Sequence, residues 1–314
     1  MLILSIALLS CQLDVEGLLS VHSDYSSESD ITSFGVRAHV KDEWALNEYM
    51  QLTIGGYVFA GDYIPDESKV VLSHLSTRFN SVLGGNEFVF GRMPLDLDNS
   101  ILTSGNSWQF EPYFHDGVFL GTSFKKLLVQ AFYLNAATGL SGARNDVLSG
   151  FFLELPDKDF TTTYLRRERY EAAVDEYNIA LRLFKELDLG LLFDGTVIFQ
   201  QGDDGVRDIS SLALASSVAK ELDFGHKIGL SFYLAQGDRQ DPTNRTSYSP
   251  GLIDRHEFAG KADVLSFSNL IDIVFEYELV WNEYSSFHID LHGFFRQTTS
   301  DGVYLFDESR VVSA

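Results

Sequence analysis

His288, Asp290 and His292 stand two residues apart, the spacing at which side chains of an extended strand share one face, so they could ligate a metal or relay a proton. Asp254, His256 and Glu257 form a second titratable group. Neither group follows a recognised catalytic spacing. The chain also has no Gly-rich phosphate loop, no Gly-x-Ser-x-Gly elbow and no His-Glu-x-x-His pair. Polar residues at every second position arise wherever a strand has one wet face. The expectation is therefore a protein that is not an enzyme, with no catalytic residue, cofactor or metal.

Arginines offer a different chemistry. A fixed guanidinium binds carboxylate or phosphate through two parallel hydrogen bonds, and a series of such sites lets a charged solute move between weak positions. Arg37, Arg92, Arg182 and Arg296 fall at expected polar positions of strands, as do Asp272, Glu276 and Glu278. These seven are the pore-lining candidates. Their mixed sign argues against a strongly basic track, and for any single arginine the competing role is to brace a strand against a neighbouring carboxylate. A long segment, 237–268, carries Arg239, Arg245, Arg255 and Lys261, which are expected either to gate a passage or to decorate a surface loop.

Strands must position all of these groups. In residues 270–281, Ile271, Ile273, Phe275, Tyr277, Leu279 and Trp281 make an unbroken apolar face, while Asp272, Glu276 and Glu278 load the other face with charge. Similar alternation recurs along the chain and predicts about sixteen strands: 13–22, 32–41, 48–60, 69–79, 86–93, 116–124, 127–136, 147–155, 160–168, 172–185, 189–201, 208–221, 226–236, 269–281, 285–296 and 302–312. Every second connection is turn-sized (42–47, 81–85, 125–126, 156–159, 186–188, 223–225 and 282–284), whereas the long ones, 94–115, 137–146 and 237–268, all fall on the opposite side. That segregation by parity suits a membrane β-barrel and has no counterpart in a sandwich or propeller. Residues 166–187 also fit a helical stripe through Tyr170, Val174, Tyr177, Leu181 and Phe184; the strand reading is preferred because strands flank it and the parity requires one. Trp44, Tyr49, Phe59, Tyr63, Tyr113, Trp281 and Tyr284 lie at strand ends, where a barrel carries interfacial aromatics.

Composition sets the outer bounds. The chain has 314 residues, 45% hydrophobic and 13% aromatic, enough for one large β domain or two smaller ones. No internal run approaches the ~18 apolar residues of a transmembrane helix. A formal net charge of −22 excludes nucleic acid as a partner, whose phosphates need a basic face. Cys11 is the only cysteine, so no intrachain disulfide forms. Residues 1–11 read as an export signal or a lipoprotein-like segment in which Leu8-Leu9-Ser10 precedes a lipidated Cys11, and 12–314 as one domain.

Four short stretches point to a family. Phe90-Gly91-Arg92-Met93 ends a strand, Phe114-His115-Asp116-Gly117-Val118 opens another, Gln236-Gly237-Asp238 leads into the long loop, and His256-Glu257-Phe258-Ala259-Gly260 with Ser268-Asn269-Leu270 returns from it. In this order they resemble the alginate-export family of outer-membrane β-barrels, over residues 85–290. The resemblance implies a monomeric barrel, eighteen strands in that family's best-known members, that passes an anionic polysaccharide along a basic lumen. Arg92 matches one of the family's basic positions; the arginine expected in the following loop is missing, because Ile101 follows Asp98-Asn99-Ser100. The expected protein is an all-β, transmembrane antiparallel β-barrel of about 16–18 strands in the bacterial outer membrane. It would act as a passive channel for a hydrophilic solute or polysaccharide, with outer-membrane lipids as its other partner. The chain ends on Val311-Val312-Ser313-Ala314 without a terminal aromatic, which reads either as missing last strands or as an unusual closure. Two rivals are an enzyme or adhesin on the same barrel and a soluble, secreted all-β carbohydrate-binding protein.

Overall fold

The computed structural model describes residues 14–26, 29–61, 68–80, 86–95, 102, 114–137, 146–169, 173–248, 268–282, 285–301, 303–304 and 310–312. Among these residues the regular elements are β-strands and short 3₁₀ turns, with no α-helix. Strand order follows the chain and successive strands pair antiparallel. This is the all-β architecture that the alternation predicts. Cys11 and the segment 1–11 lie outside the described residues.

The chain divides into two compact units, one of residues 1–95, 105–122 and 132–145, the other of 96–104, 123–131 and 146–314. The first contains β1 (Asp14–Ser26), β2 (Ser29–Asn47), β3 (Met50–Gly61), β4 (Ser68–Asn80), β5 (Asn86–Met93), most of β6 (Phe114–Phe124) and the end of β7 (Leu127–Ala137). β2 runs through the expected turn at 42–47, and the chain reverses instead at Glu48-Tyr49. Between β3 and β4 the register shifts at Gly55/Gly56, where Gly55 faces His74 but Gly56 faces Leu72. The extra residue moves the buried positions of β4 from Val71 and Ser73 to Ser76. Around it His39 stacks on Tyr57 with ring centroids 4.1 Å apart, and the Ser73 hydroxyl bonds both His39 Nε2 (3.2 Å) and His74 Nδ1 (2.9 Å).

The second unit contains β8 (Asp146–Leu155), β9 (Phe160–Arg169), β10 (Val174–Leu187), β11 (Leu191–Asp203), β12 (Asp208–Glu221), β13 (His226–Ala235), the two-residue β14 (Asn244–Arg245), β15 (Leu270–Asn282) and β16 (Ser285–Arg296). Within 166–187 alternation prevails over the helical stripe: 166–169 end β9 and Val174–Leu187 form β10. Of the expected strand 302–312 the described residues form β17 (Val303–Tyr304) and β18 (Arg310–Val312), which pair antiparallel with each other. Tight connections recur where the sequence repeats Asp-x-Gly. At Asp188–Gly190 and Asp223–Gly225 the two residues after the aspartate both have positive φ: Leu189 67° and Gly190 69°, Phe224 62° and Gly225 76°. That backbone matches the right-handed twist of a two-residue hairpin, and a Cβ at Gly225 would lie 2.3 Å from the Val280 carbonyl oxygen.

Burial on these strands is inverted relative to a soluble sheet. β10 buries Glu176, Asn178 and Ala180 while Ile179, Leu181 and Leu183 are exposed. On β11 Thr196 and Gln200 are buried and Phe199 is exposed. On β13 Ser231 is buried at 1% exposure beside Leu230 at 57%, and on β15 Asp272 at 0% alternates with Ile273 at 43% and Phe275 at 47%. In water this arrangement would lose the apolar burial that drives folding while desolvating polar groups. It is stable when the exposed face meets hydrocarbon and the buried face a polar interior. Trp281 at 63% and Tyr49 at 51% are exposed at strand ends, as an interfacial girdle requires. Tyr63, Tyr113 and Tyr284 lie outside the described residues.

The inversion predicts the response to a charge in mid-strand. Leu230→Arg is expected to destabilise the protein by about 2–4 kcal/mol when refolded into lipid vesicles, measured by urea titration. A water-facing leucine would shift stability by no more than ~0.5 kcal/mol, and that result would contradict the reading of the apolar face.

Candidate functional site

The buried polar face of the second unit carries a connected set of charged and amide side chains. Register explains its contacts. Asn178, Gln200 and Ser211 are direct cross-strand partners on β10, β11 and β12. The Ser211 hydroxyl donates to Gln200 Oε1 and Gln200 Nε2 to Asn178 Oδ1, both at 3.0 Å. Four residues further along β10, Arg182 forms a bidentate pair with Asp194 of β11, Nε to Oδ1 at 2.8 Å and one terminal nitrogen to Oδ2 at 2.6 Å. At the other end of β10, Glu176 faces Arg167 of β9 in register and the two close at 2.5 Å with side chains only 1% and 3% exposed. Two further nitrogens of Arg167 have no hydrogen-bond partner among the described residues.

A loop segment closes over this end. β14 pairs parallel with the start of β12, Asp208 opposite Asn244 and Ile209 opposite Arg245. The Asp208 N–H donates to the Thr243 carbonyl at 3.0 Å. Arg245 then reaches two carboxylates at once, Asp204 at 3.4 Å and Glu176 at 4.0 Å, while Arg207 pairs with Asp238 at 2.8 Å. Tyr248 is buried at 1% exposure, and its N–H donates to the Gln236 carbonyl at 2.8 Å. Burial, and after it the nearby Glu176 charge, raise the Tyr248 phenol well above its ordinary range, so it stays neutral. Burial alone would raise Asp204. The backbone N–H groups of Arg207 and Val206 and the charges of Arg245 and Arg207 outweigh it and hold the carboxyl below the usual aspartate value.

The sequence candidates distribute unevenly over this framework. Arg182 lies on the buried polar face, braced by Asp194, and Arg245 is the centre of the loop clasp. Asp272, Glu276 and Glu278 share the polar face of β15. Arg92 sits elsewhere: on β5 it shares the face of the exposed Phe88 and Phe90, and its guanidinium forms a bidentate pair with Asp116, its direct partner on β6, at 2.7 and 2.6 Å. Arg37 lies in β2 opposite Leu18 and Phe59. Arg296 ends β16 in an exposed position opposite Leu270, and Arg239 is exposed on the loop. Arg255 and Lys261, with Asp254, His256 and Glu257, lie outside the described residues. His288 and Asp290 form one pair at 2.5 Å, His292 and Asp272 another at 2.8 Å; no group of three metal-ligating side chains is poised for a metal among the described residues.

Sequence reasoning missed Arg167, Asp194, Asp204, Arg207 and Tyr248. Parity alone would have found the first two, because Arg167 alternates with buried Thr163 and Leu165, and Asp194 with Thr196 and Ile198. Nothing local marks Asp204 or Tyr248, whose roles depend on a loop returning from about 40 residues away.

No protein-family model matches the chain, and no curated protein is significantly similar to it. Solved structures are. OpdO of Pseudomonas aeruginosa aligns with a TM-score of 0.60 at 14% identity over 87% of this chain and 78% of that one. The outer membrane protein OprD of P. aeruginosa aligns at 0.54 and 15% identity over 88% and 72%. OccAB1 of Acinetobacter baumannii aligns at 0.56 and 12% identity over 84% and 73%. The fold is thus that of outer-membrane β-barrels. These neighbours are not alginate exporters, so they support the coarser expectation drawn from the sequence and not the finer one.

Two outcomes are expected of this site. Glu176→Gln leaves Arg167 buried without a counter-charge and should cost about 3–5 kcal/mol in urea unfolding, far more than the same change at an exposed glutamate. Because the Asp204 carboxyl is held below its ordinary value, the clasp it forms with Arg245 is fully present above the unfolded aspartate pKa and is lost as pH falls through the lower, folded one. Protection of the 238–248 segment from pepsin should therefore survive at pH ~4 and fail only below it. Loss of protection already near pH 5 would contradict the assignment.

Proposed function

We propose that the protein is a bacterial outer-membrane channel through which hydrophilic solutes diffuse. The observation that carries this reading is the inversion of burial, with Glu176, Asn178, Gln200, Ser231 and Asp272 inside and Ile179, Phe199, Leu230, Ile273 and Phe275 outside. A sheet patterned this way has hydrocarbon on one side and a wet passage on the other. OprD, of the same fold, is an outer membrane protein.

Movement through the passage is diffusion past weak sites, without turnover. The alginate-export resemblance would make the cargo an anionic polysaccharide. Arg167, Arg182, Arg207 and Arg245 of the polar face are each tied to a carboxylate, and arginines so paired make a poor basic track for such a chain. A small hydrophilic solute fits better. The clasp formed by Arg207, Asp238, Arg245 and Asp204 folds the loop over the polar face and works as a gate, holding the passage narrow while its ion pairs persist. Outer-membrane lipids cover the apolar face, and the working unit is a monomer.

Single-channel recording in a planar bilayer tests this reading. Refolded, heat-modifiable protein should give discrete conductance steps, and Arg207→Ala/Arg245→Ala should give larger or longer openings. A folded protein that stays silent in both forms would overturn the channel.

A further inference from the structure

We propose that the polar face of β15 and β16 is a cation-conducting stripe, so that the channel favours small cations over anions. This rests on the channel reading above. Asp272, Glu276 and Glu278 on β15 and His288, Asp290 and His292 on β16 point to one face; register sets Glu278 opposite His288 and Glu276 opposite Asp290. Their only hydrogen-bond partners among the described residues are one another and a serine: His288 to Asp290 at 2.5 Å, His292 to Asp272 at 2.8 Å and the Ser231 hydroxyl to Glu276 at 2.5 Å.

The contrast with the rest of the polar face carries the argument. On β9 to β12 and in the clasp, carboxylates are matched by arginines, Glu176 by Arg167, Asp194 by Arg182, Asp238 by Arg207 and Asp204 by Arg245. None of the four carboxylates of the stripe has an arginine or lysine ion pair among the described residues. Lys227 of β13 stands opposite Glu278 in register without closing one, and Arg296 lies at the exposed end of β16, opposite Leu270. The face therefore keeps net negative charge even with both cations counted.

A second observation points to a ligand. Asp272 is 0% exposed, its Oδ2 is held by His292, and its Oδ1 is buried with no hydrogen-bond partner. A buried carboxylate oxygen without a donor is costly to leave unmet, and its uncompensated charge favours a cation at this end of the stripe. Glu278 and Glu276 stand one two-residue step apart on β15, about 7 Å, while Glu276 and Asp272 are two steps apart with Val274 between them, a gap flanked on β16 by Asp290 and His292; an ion can transfer between such weak sites without binding tightly at any. The absence of a three-ligand metal group among the described residues fits passage rather than retention.

Reversal potentials across a tenfold KCl gradient, with the full chain in a planar bilayer, test the stripe. The expected result is a several-fold preference for potassium over chloride that falls towards unity in Glu276→Gln/Glu278→Gln/Asp290→Asn, with guanidinium chloride replacing KCl to ask whether an organic cation uses the same path. Should the triple variant fail to regain heat-modifiable migration, Glu278→Gln alone, at a half-buried position, should lower the ratio in the same direction. An anion preference, or a ratio unchanged in a folded variant, overturns the stripe while leaving the channel intact. A silent folded protein overturns the channel itself.

Discussion

A backbone N–H that faces hydrocarbon has no water to turn to, so each strand in this sheet must satisfy its polar groups on a neighbouring strand. The registers follow from that requirement. β10 and β11 pair without interruption from Asp175 opposite Asp203 to Leu187 opposite Leu191, and β11 and β12 from Leu191 opposite Lys220 to Asp203 opposite Asp208. Tight Asp-x-Gly reversals keep the strand ends in step, and only a register shift such as that at Gly55/Gly56 breaks the alternation. Once the ladder is fixed, the two faces of every strand are fixed too, and composition must follow: leucine, isoleucine and phenylalanine on one side, charge and amide on the other.

Charges on the polar face then divide by their partners. Where a carboxylate stands next to an arginine, as at Arg167 and Glu176 or Arg182 and Asp194, the pair is bidentate or fully buried and ties neighbouring strands together. Its mutual attraction offsets the cost of removing both ions from water only because the geometry is close. Where carboxylates stand among histidines and serine, as on β15 and β16, no such closure occurs and the field of the acids remains available to a solute. Wall and path are built from the same residue types and differ in pairing.

Much of this was legible in residues 270–281, because a charged face opposite an unbroken apolar one has one physical solution in a sheet. Parity also decided β10 correctly, where a helical stripe through Tyr170, Val174 and Tyr177 competed with it. Arg92 shows the limit. Its match to a basic position of the alginate-export family suggested a polar interior, but counting from Phe88 and Phe90 puts it on the apolar side, where Asp116 across the ladder neutralises it. β14 was not legible at all. Two residues carry no periodicity, and Asn244-Arg245 pairs with β12 only because the loop around it is already folded by Asp238, Asp241 and Thr246.

The clasp also explains why an aromatic rather than a charged residue stands at position 248. Tyr248 enters a space already holding the Glu176 carboxylate and, through it, Arg167. Another carboxylate there would face Glu176 at close range in a poorly solvated site, and a lysine would compete with Arg245 for the same oxygens. A phenol whose ionisation is suppressed by burial adds bulk without charge. Arg245 is thereby free to span Glu176 and Asp204, and through these two acids a two-residue strand is anchored to both β10 and the β11–β12 turn.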